Sequence, residues 1–454
     1  MSTPKAYDLF VIGAGPGGYT AALLGARKGL KVGIAEGAHC GGTCTNRGCI
    51  PAKSYIESIE ILMRMKNAQR YGIDPVAVSL SLESLQKRKT RIVTRLVKGI
   101  ELLLSRAGVE VMRTNASFLG DRTIHVGGEI IHASAVIIAT GSRPKRPALF
   151  DLPGLLTSDE VFDLRQTPAS MLIVGGGVIG MEMAHIFSGL GCEITVVEAL
   201  DRVLATEDKE VSKGLVSLYR KIRFMTSARV TAVEKGEGYT LTVENETGQE
   251  TIQGDSLLLC VGREPVLPEG LSQMGVALTP EGGIRTDGGM HTNLPDVYAV
   301  GDVTGEHMYA YVASREAEVA VARIMGDTTR TMDYSTIPTV VFTHPEVASV
   351  GRRREDDEKA DMRTGTFPVS ALGRARTMEE SDGFATVTCS PQGILERVTI
   401  MAPHATELVS WAALAVSRRL HVEEFLSPAY PHPTMAELLK EAAEDVFGLC
   451  INKP

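Results

Sequence analysis

Gly13, Gly15 and Gly18 recur as Gly175, Gly177 and Gly180, 162 positions later, each time directly after a four-residue apolar run and directly before apolar residues at helical spacing. A buried parallel strand, a tight turn and a helix are what such a segment folds into. The first glycine permits the turn, the second lets backbone approach a pyrophosphate, and the third lets helix and strand pack closely. The helix N-terminus turns its N–H groups and dipole toward the phosphates. Each copy continues into a second strand, 31–35 and 193–197, that ends in an acid, Glu36 and Glu198, 23 positions after its first glycine. One such fingerprint is weak evidence, but two with strand, helix and acid in register predict two bound dinucleotides. A strand-end carboxylate accepts from ribose hydroxyls and repels a 2′-phosphate, so Glu198 points to NAD in the second unit.

Cys44 and Cys49 follow the first fingerprint within the run Gly-Gly-Thr-Cys-Thr-Asn-Arg-Gly-Cys-Ile-Pro-Ala-Lys, 41–53. A redox disulfide needs an electron carrier beside it, so the first unit is the one expected to hold a flavin. In an ideal helix, residues five apart are rotated by about 140° and lie too far apart for a disulfide, whose Cα separation is about 4.4–6.8 Å. The pair therefore predicts a distorted first helical turn, for which Gly48 and Pro51 are suitable. A thiolate at a helix start has a lowered pKa, which suits a nucleophile or a donor to flavin. The total of seven cysteines is odd, which argues for a reducing compartment and against a structural disulfide framework. Cys192, Cys260 and Cys389 sit in apolar, strand-like surroundings and read as small buried hydrophobes, and Cys40 reads as a shielded side chain.

Near the other end, Tyr430-Pro431-His432-Pro433-Thr434-Met435-Ala436-Glu437 leads into apolar residues at helical spacing as far as about 447. Pro433 suits a first helical position, which leaves His432 just before the helix, and Glu437 can return to hold one ring nitrogen. Alone, such a pair reads as ordinary surface or a satisfied histidine; beside the cysteine pair and the two fingerprints it becomes a candidate general acid–base.

A chain of 454 residues predicts about three domains. No apolar stretch approaches the roughly 20 residues of a membrane helix, and 1–10 carries no secretory apolar region, so a soluble cytoplasmic enzyme is expected. A net charge of -8 without a long basic block argues against nucleic acid as a partner. Residues 84–107 predict a long basic amphipathic helix packed on the first unit, and the charge run 352–363 reads as a solvated segment. His404, Trp411 and His421 read as packing residues, and no metal-ligand cluster is visible.

The set Gly-Gly-Thr-Cys-Thr-Asn-Arg-Gly-Cys-Ile-Pro-Ala-Lys (41–53), Ala-Thr-Gly-Ser-Arg-Pro (139–144), Val-Gly-Arg-Glu-Pro (261–265), Val-Tyr-Ala-Val-Gly-Asp-Val-Thr-Gly (297–305), Phe-Thr-His-Pro-Glu (342–346) and His-Pro-Thr-Met-Ala-Glu (432–437) resembles the class I pyridine nucleotide-disulfide oxidoreductases, and among them the dihydrolipoamide dehydrogenases. The resemblance spans nearly the whole chain. It implies an α/β fold with two Rossmann-like dinucleotide-binding domains, for FAD and NAD, plus an α+β C-terminal dimerisation domain. The FAD domain would be 1–149 and 279–338, the NAD domain 150–278 and the interface domain 339–454. It also implies a homodimer in which Cys44 and Cys49 of one chain work with His432 and Glu437 of the other. Cys44 would meet the substrate and Cys49 the flavin. Lys53 and Glu182 would pair between flavin and nicotinamide, Gly141, Ser142 and Asp302 would lie along FAD, and Gly262 would approach the nicotinamide nucleotide. The chain departs from the family at Tyr430, where a further histidine is usual, at Tyr309-Ala310-Tyr311 in place of Leu-Ala-His, at Arg315-Glu316-Ala317 in place of a run ending in glycine, and at Cys40 in place of leucine.

The activity implied is NAD-dependent oxidation of a dihydrolipoyl dithiol, free or borne by a 2-oxoacid dehydrogenase, glycine cleavage or other lipoate-dependent system. The departures suggest a specialised lipoyl-bearing partner. An NADH-dependent reductase of another small disulfide or of a metal ion is an alternative, disfavoured by Glu198 and by the single cysteine, Cys450, near the C-terminus. A flavoprotein serving as a docking or structural subunit is a second alternative, disfavoured because both cysteines, His432 and Glu437 are all present.

Overall fold

The computed structural model describes residues 5–74, 77–120, 123–352 and 361–453; most of the predicted charge run, 353–360, lies outside them. Lys5–Ile12 forms the central strand of a seven-stranded sheet, with Val32–Ala35 and Glu110–Met112 parallel on one side and Glu129–Ile138 parallel on the other. Val297–Ala299 returns from far along the chain to pair with Glu129–Ile138. Leu9, Phe10 and Val11 are fully buried, which requires cover on both faces and explains the continuous apolar run. Helix α1 (Pro16–Arg27) supplies part of that cover through Ala21, Ala22 and Gly25. These small residues let the helix lie close to the strands.

Three further helices of this region frame the cysteines: α2 (Gly42–Asn46), α3 (Cys49–Lys66) and the 25-residue α4 (Leu82–Arg106), whose Ser81 cap accepts the Ser84 N–H. The second unit is an all-parallel five-stranded sheet in the order Ile222–Met225, Glu193–Val197, Ser170–Val174, Ser256–Leu259, Leu156–Thr157. It carries α5 (Val178–Gly189), α6 (Lys209–Leu218) and a three-stranded antiparallel meander over 229–254. Helix α7 (Ala310–Ile324) packs on α1. The C-terminal part is a five-stranded antiparallel sheet, from Thr339–Val341 to Leu395–Ala402, with α8 (Gly373–Thr377), α9 (Ala405–Ser417), α10 (Val422–Leu426) and α11 (Glu437–Asp445). Among the described residues, no helix is long and apolar enough to cross a membrane.

Two acids just before α6 join the second unit to the C-terminal sheet. Asp208 pairs with Arg397 at 3.1 Å, both side chains nearly fully buried, and accepts the Thr399 hydroxyl; Glu207 accepts the hydroxyls of Thr339 and Ser349. Removing one member of such a buried pair strands the other charge, at about 3–5 kcal/mol. The two bodies are therefore coupled by charge as well as by packing.

Three sequence expectations need correction. The last helix starts at Glu437 and not at Pro433, because 432–436 form a turn. His421 caps α10 through its ring nitrogen and so has a local backbone role. The cysteine segment is two helices rather than one distorted turn: Arg47 and Gly48 both donate to the Thr43 carbonyl, which ends α2, and α3 restarts at Cys49.

Candidate active site

The break at Arg47–Gly48 brings the two sulfurs into contact, overcoming the helical phase difference. Neither cysteine is in a disulfide here, and a hydrogen bond couples their side chains. That hydrogen bond lowers the Cys49 pKa, aided by the nearby Lys53 charge. It raises Cys44 by the same contact, and burial raises it further. Of the two, the residue that opens α3 is therefore the more acidic. Tyr19 of α1 lies within electrostatic reach of Cys44, and Tyr311 of α7 within that of Cys49.

Lys53 is one turn beyond Cys49. Its Nζ lies 2.8 Å from both Glu182 oxygens, and it stands over the Phe342 ring at 4.3 Å. Glu182 belongs to α5, the helix that begins at the second fingerprint, and it also accepts the Phe342 N–H. A bidentate, mostly buried pair thus links the cysteine helix to the second unit.

Both fingerprints have the shape expected of them. Gly13 and Gly175 hold φ of 97° and 105°, and a Cβ on Gly18 or Gly180 would lie within 2 Å of the carbonyl oxygen of Gly13 or Gly175. In front of the helix starts there is room: a Cβ on Gly177 would meet nothing within 4 Å, and one on Gly15 only the Gly42 Cα, at 4.0 Å. These N–H cradles, clear of side chains, fit dinucleotide phosphates. The two strand-end acids behave alike. Glu36 accepts the Ala14 and Ala38 N–H groups, and Glu198 accepts those of Gly176 and Leu200. Each acid therefore braces its own glycine loop while keeping lone pairs for a ribose.

Asp302 accepts the Ser142 hydroxyl at 2.5 Å, Arg263 donates to the same hydroxyl, and Gly141 and Gly262 hold positive φ on either side. Arg263 escaped the sequence reading, as did Asp159, 3.7 Å from it. The only signal for Arg263 was its adjacency to the Gly262 turn, and Asp159, far away in the sequence, gave none. Also unforeseen was a buried cluster in which the Tyr219 hydroxyl accepts the His344 N–H and lies 3.0 Å from His185 Nδ1, while among the described residues His185 Nε2 has no hydrogen-bond partner.

His432 Nδ1 lies 2.9 Å from Glu437 Oε1, while Glu437 Oε2 accepts the Thr434 N–H. The acid is mostly buried and the imidazole is 75% exposed, so Glu437 fixes the ring and leaves Nε2 facing outward. Among the described residues, no bond joins His432 or Glu437 to Cys44, Cys49 or Lys53 of the same chain. Tyr430 is directed elsewhere: its hydroxyl donates to the Phe425 carbonyl and its ring packs edge-on against Trp411. Glu441, Glu444 and Cys450 bring ligand atoms within 4.8 Å of one another, but Lys440 pairs with both acids and the Cys450 thiol donates to Glu441. That cluster is closed by its own partners.

Two dinucleotide cradles, linked by an ion pair that leads from a coupled pair of cysteines, define a dinucleotide-dependent disulfide oxidoreductase. Comparison with known proteins agrees. Residues 7–317 match the pyridine nucleotide-disulphide oxidoreductase family and 337–443 match its dimerisation domain. The chain is 36% identical over 448 residues to a dihydrolipoyl dehydrogenase of Chlamydia pneumoniae, covering 96% of each, and 35% identical over 472 residues to one of Bacillus subtilis, covering 98% of this chain and 99% of that one. The crystal structure of LpdA from Mycobacterium tuberculosis superposes with a TM-score of 0.90 at 27% identity, covering 97% of this chain and 99% of that one. The flavoprotein disulfide reductase RclA of Escherichia coli gives 0.85 at 26% identity, covering 96% and 99%. The chain belongs to the pyridine nucleotide-disulphide oxidoreductases, within the dihydrolipoyl dehydrogenase family. It is a flavoprotein enzyme whose cofactors are FAD and NAD, and it carries a dimerisation domain.

Proposed function

We propose that the chain is a cytoplasmic, homodimeric dihydrolipoyl dehydrogenase that oxidises a dihydrolipoyl dithiol, free or protein-borne, with NAD as acceptor. The observation that carries the reading is the side-chain coupling of Cys44 and Cys49 one turn from the Lys53–Glu182 pair, between two glycine cradles. Residues 1–149 with 279–338 form the FAD domain, 150–278 the NAD domain and 339–454 the interface domain. Gly13, Gly15, Gly18, Glu36, Gly141, Ser142 and Asp302 hold FAD; Gly175, Gly177, Gly180, Glu198 and Gly262 hold NAD.

Chemistry starts from the Cys44–Cys49 disulfide. The partner subunit's His432, oriented by its Glu437, takes a proton from the first substrate thiol. The resulting thiolate attacks Cys44 Sγ, the disulfide breaks, and Cys49 leaves as the thiolate that Lys53 stabilises. The second substrate sulfur then displaces Cys44, which keeps that thiol's proton, and the substrate departs as its disulfide. The two protons end on His432 and Cys44, and the electron pair resides in the dithiol. FAD, held by Gly13, Gly15, Gly18, Glu36, Gly141, Ser142 and Asp302, would supply the two-electron chemistry that links this dithiol to NAD. The exposed imidazole, with no partner thiol in its own chain, supports a site completed by the second subunit.

The test is the steady-state rate of NAD reduction by free dihydrolipoamide, with NADP run alongside. Turnover with NAD and poor use of NADP is expected. Absence of NADH formation with any dihydrolipoyl donor would overturn the assignment.

A further inference from the structure

Helix α4 carries a cationic stripe on a chain whose net charge is -8. Lys87, Arg91, Arg95 and Lys98 are all exposed, lie at three- and four-residue spacing, and line one open surface depression of about 780 Å³ formed by this helix. Lys87 is neutralised by Glu83. Among the described residues, no carboxylate pairs with Arg91, Arg95 or Lys98, although acids outnumber bases in the whole chain. Like charges one turn apart destabilise a helix, so the fold itself gains nothing from the stripe.

Its position gives it a use. Helix α4 packs on α1, α2 and α3, the helices that surround the cysteines. Ile100, in the turn after Lys98, lies 3.1 Å from where a Cβ on Gly41 would sit, and Gly41 is the N-cap of the helix bearing Cys44. The helix that carries the stripe is thus seated, through Ile100, against the turn that opens the Cys44 helix, with the stripe itself turned to solvent. Free dihydrolipoamide is uncharged and gains nothing from such a field, whereas an acidic protein surface is drawn to it and oriented by it.

Resting on the proposed dihydrolipoyl chemistry, we infer that Arg91, Arg95 and Lys98, with Lys87 at the edge, form a docking surface for an acidic carrier domain. That domain presents its dihydrolipoyl arm to Cys44. The stripe selects the carrier and takes no part in the chemistry.

The experiment compares the wild-type holoenzyme with R91E/R95E/K98E and the milder R91Q/R95Q/K98Q. The donors are free dihydrolipoamide, a reduced acidic lipoylated domain, and the same domain with the acids around its lipoyl-lysine changed to amides. For the triple reversal, kcat/KM with the acidic domain falls by about 10-fold or more, through KM and the association rate, and the wild-type value falls with added salt. The rate with free dihydrolipoamide stays within about twofold, since no desolvated contact is lost. Amide substitution on the carrier reproduces the loss with wild-type enzyme. An undiminished rate with the acidic domain would overturn the inference, as would an equal loss with both donors or a monomeric variant. Those last two results would assign the stripe to the subunit contact. Failure of the wild type with free dihydrolipoamide would instead overturn the proposed chemistry.

Discussion

Lys53 Nζ and the Glu182 carboxylate meet at 2.8 Å on both oxygens, and this pair is the shortest side-chain route from the helix that Cys49 opens to the helix that begins at the second glycine cradle. Lys53 is one of the groups that hold the Cys49 pKa down, and Glu182 opposes it. Replacing Lys53 by Met should raise the pH at which the thiolate-to-flavin absorbance appears. Glu182→Gln should leave that pH unchanged or lower it. Identical titrations for the wild type and Lys53→Met would remove Lys53 from the account.

A difference in acidity separates the two cysteines, Cys44 raised and Cys49 lowered. Cys44→Ser should abolish turnover of any dithiol yet leave the flavin reducible by NADH, because electron entry from the nucleotide side does not need the substrate-facing sulfur. Full turnover in this variant would place the exchange elsewhere.

His432 and Tyr430 predict opposite outcomes. His432→Ala should cost on the order of 10²–10⁴ in kcat, the usual worth of general acid–base catalysis. Tyr430→Phe removes only a hydroxyl donated to the Phe425 carbonyl, so its loss should be structural, about 1 kcal/mol in unfolding free energy, with kcat nearly unchanged. Comparable losses in kcat for both variants would mean that Tyr430 moves protons.

Buried His185 is held neutral, its pKa pushed down to about 3 by burial and then by the nearby His344. The unfolded chain binds a proton there near pH 6.5 and the folded chain does not. Stability is therefore lost as pH falls from about 6.5 toward 3, by up to about 4 kcal/mol from this group. His185→Asn removes the titration. Melting temperatures measured across this range should fall more steeply for the wild type than for the variant, and parallel curves would refute the assignment.

Both glycine cradles were legible because each is a local unit: strand, turn, helix and acid lie within one short segment, and Gly13 and Gly175 need their positive φ whatever surrounds them. The cysteine pair was legible for the same reason, although the two-helix break was not. Nothing in the spacing showed that Arg47 and Gly48 would share the Thr43 carbonyl. The start of α11 was misplaced because Pro433 is as acceptable in a turn as at a first helical position, and only the Glu437 carboxylate gripping Thr434 and His432 decides between them. Asp208 with Arg397, and His185 with Tyr219 and His344, were invisible because their partners are distant in sequence and belong to different layers. No periodicity carries such information.

Mixed dimers of Cys44→Ser and His432→Ala chains, assayed for NAD reduction by dihydrolipoamide, give the most direct test of a site built from two subunits. Each parent homodimer lacks an essential group at both sites and should be inactive. The mixed dimer has one site with both groups intact, so it should regain roughly half of the wild-type rate, as the two-fold symmetry of the assembly requires. A mixed dimer as inactive as its parents would show that the dithiol and the imidazole act within one chain, and would contradict the account.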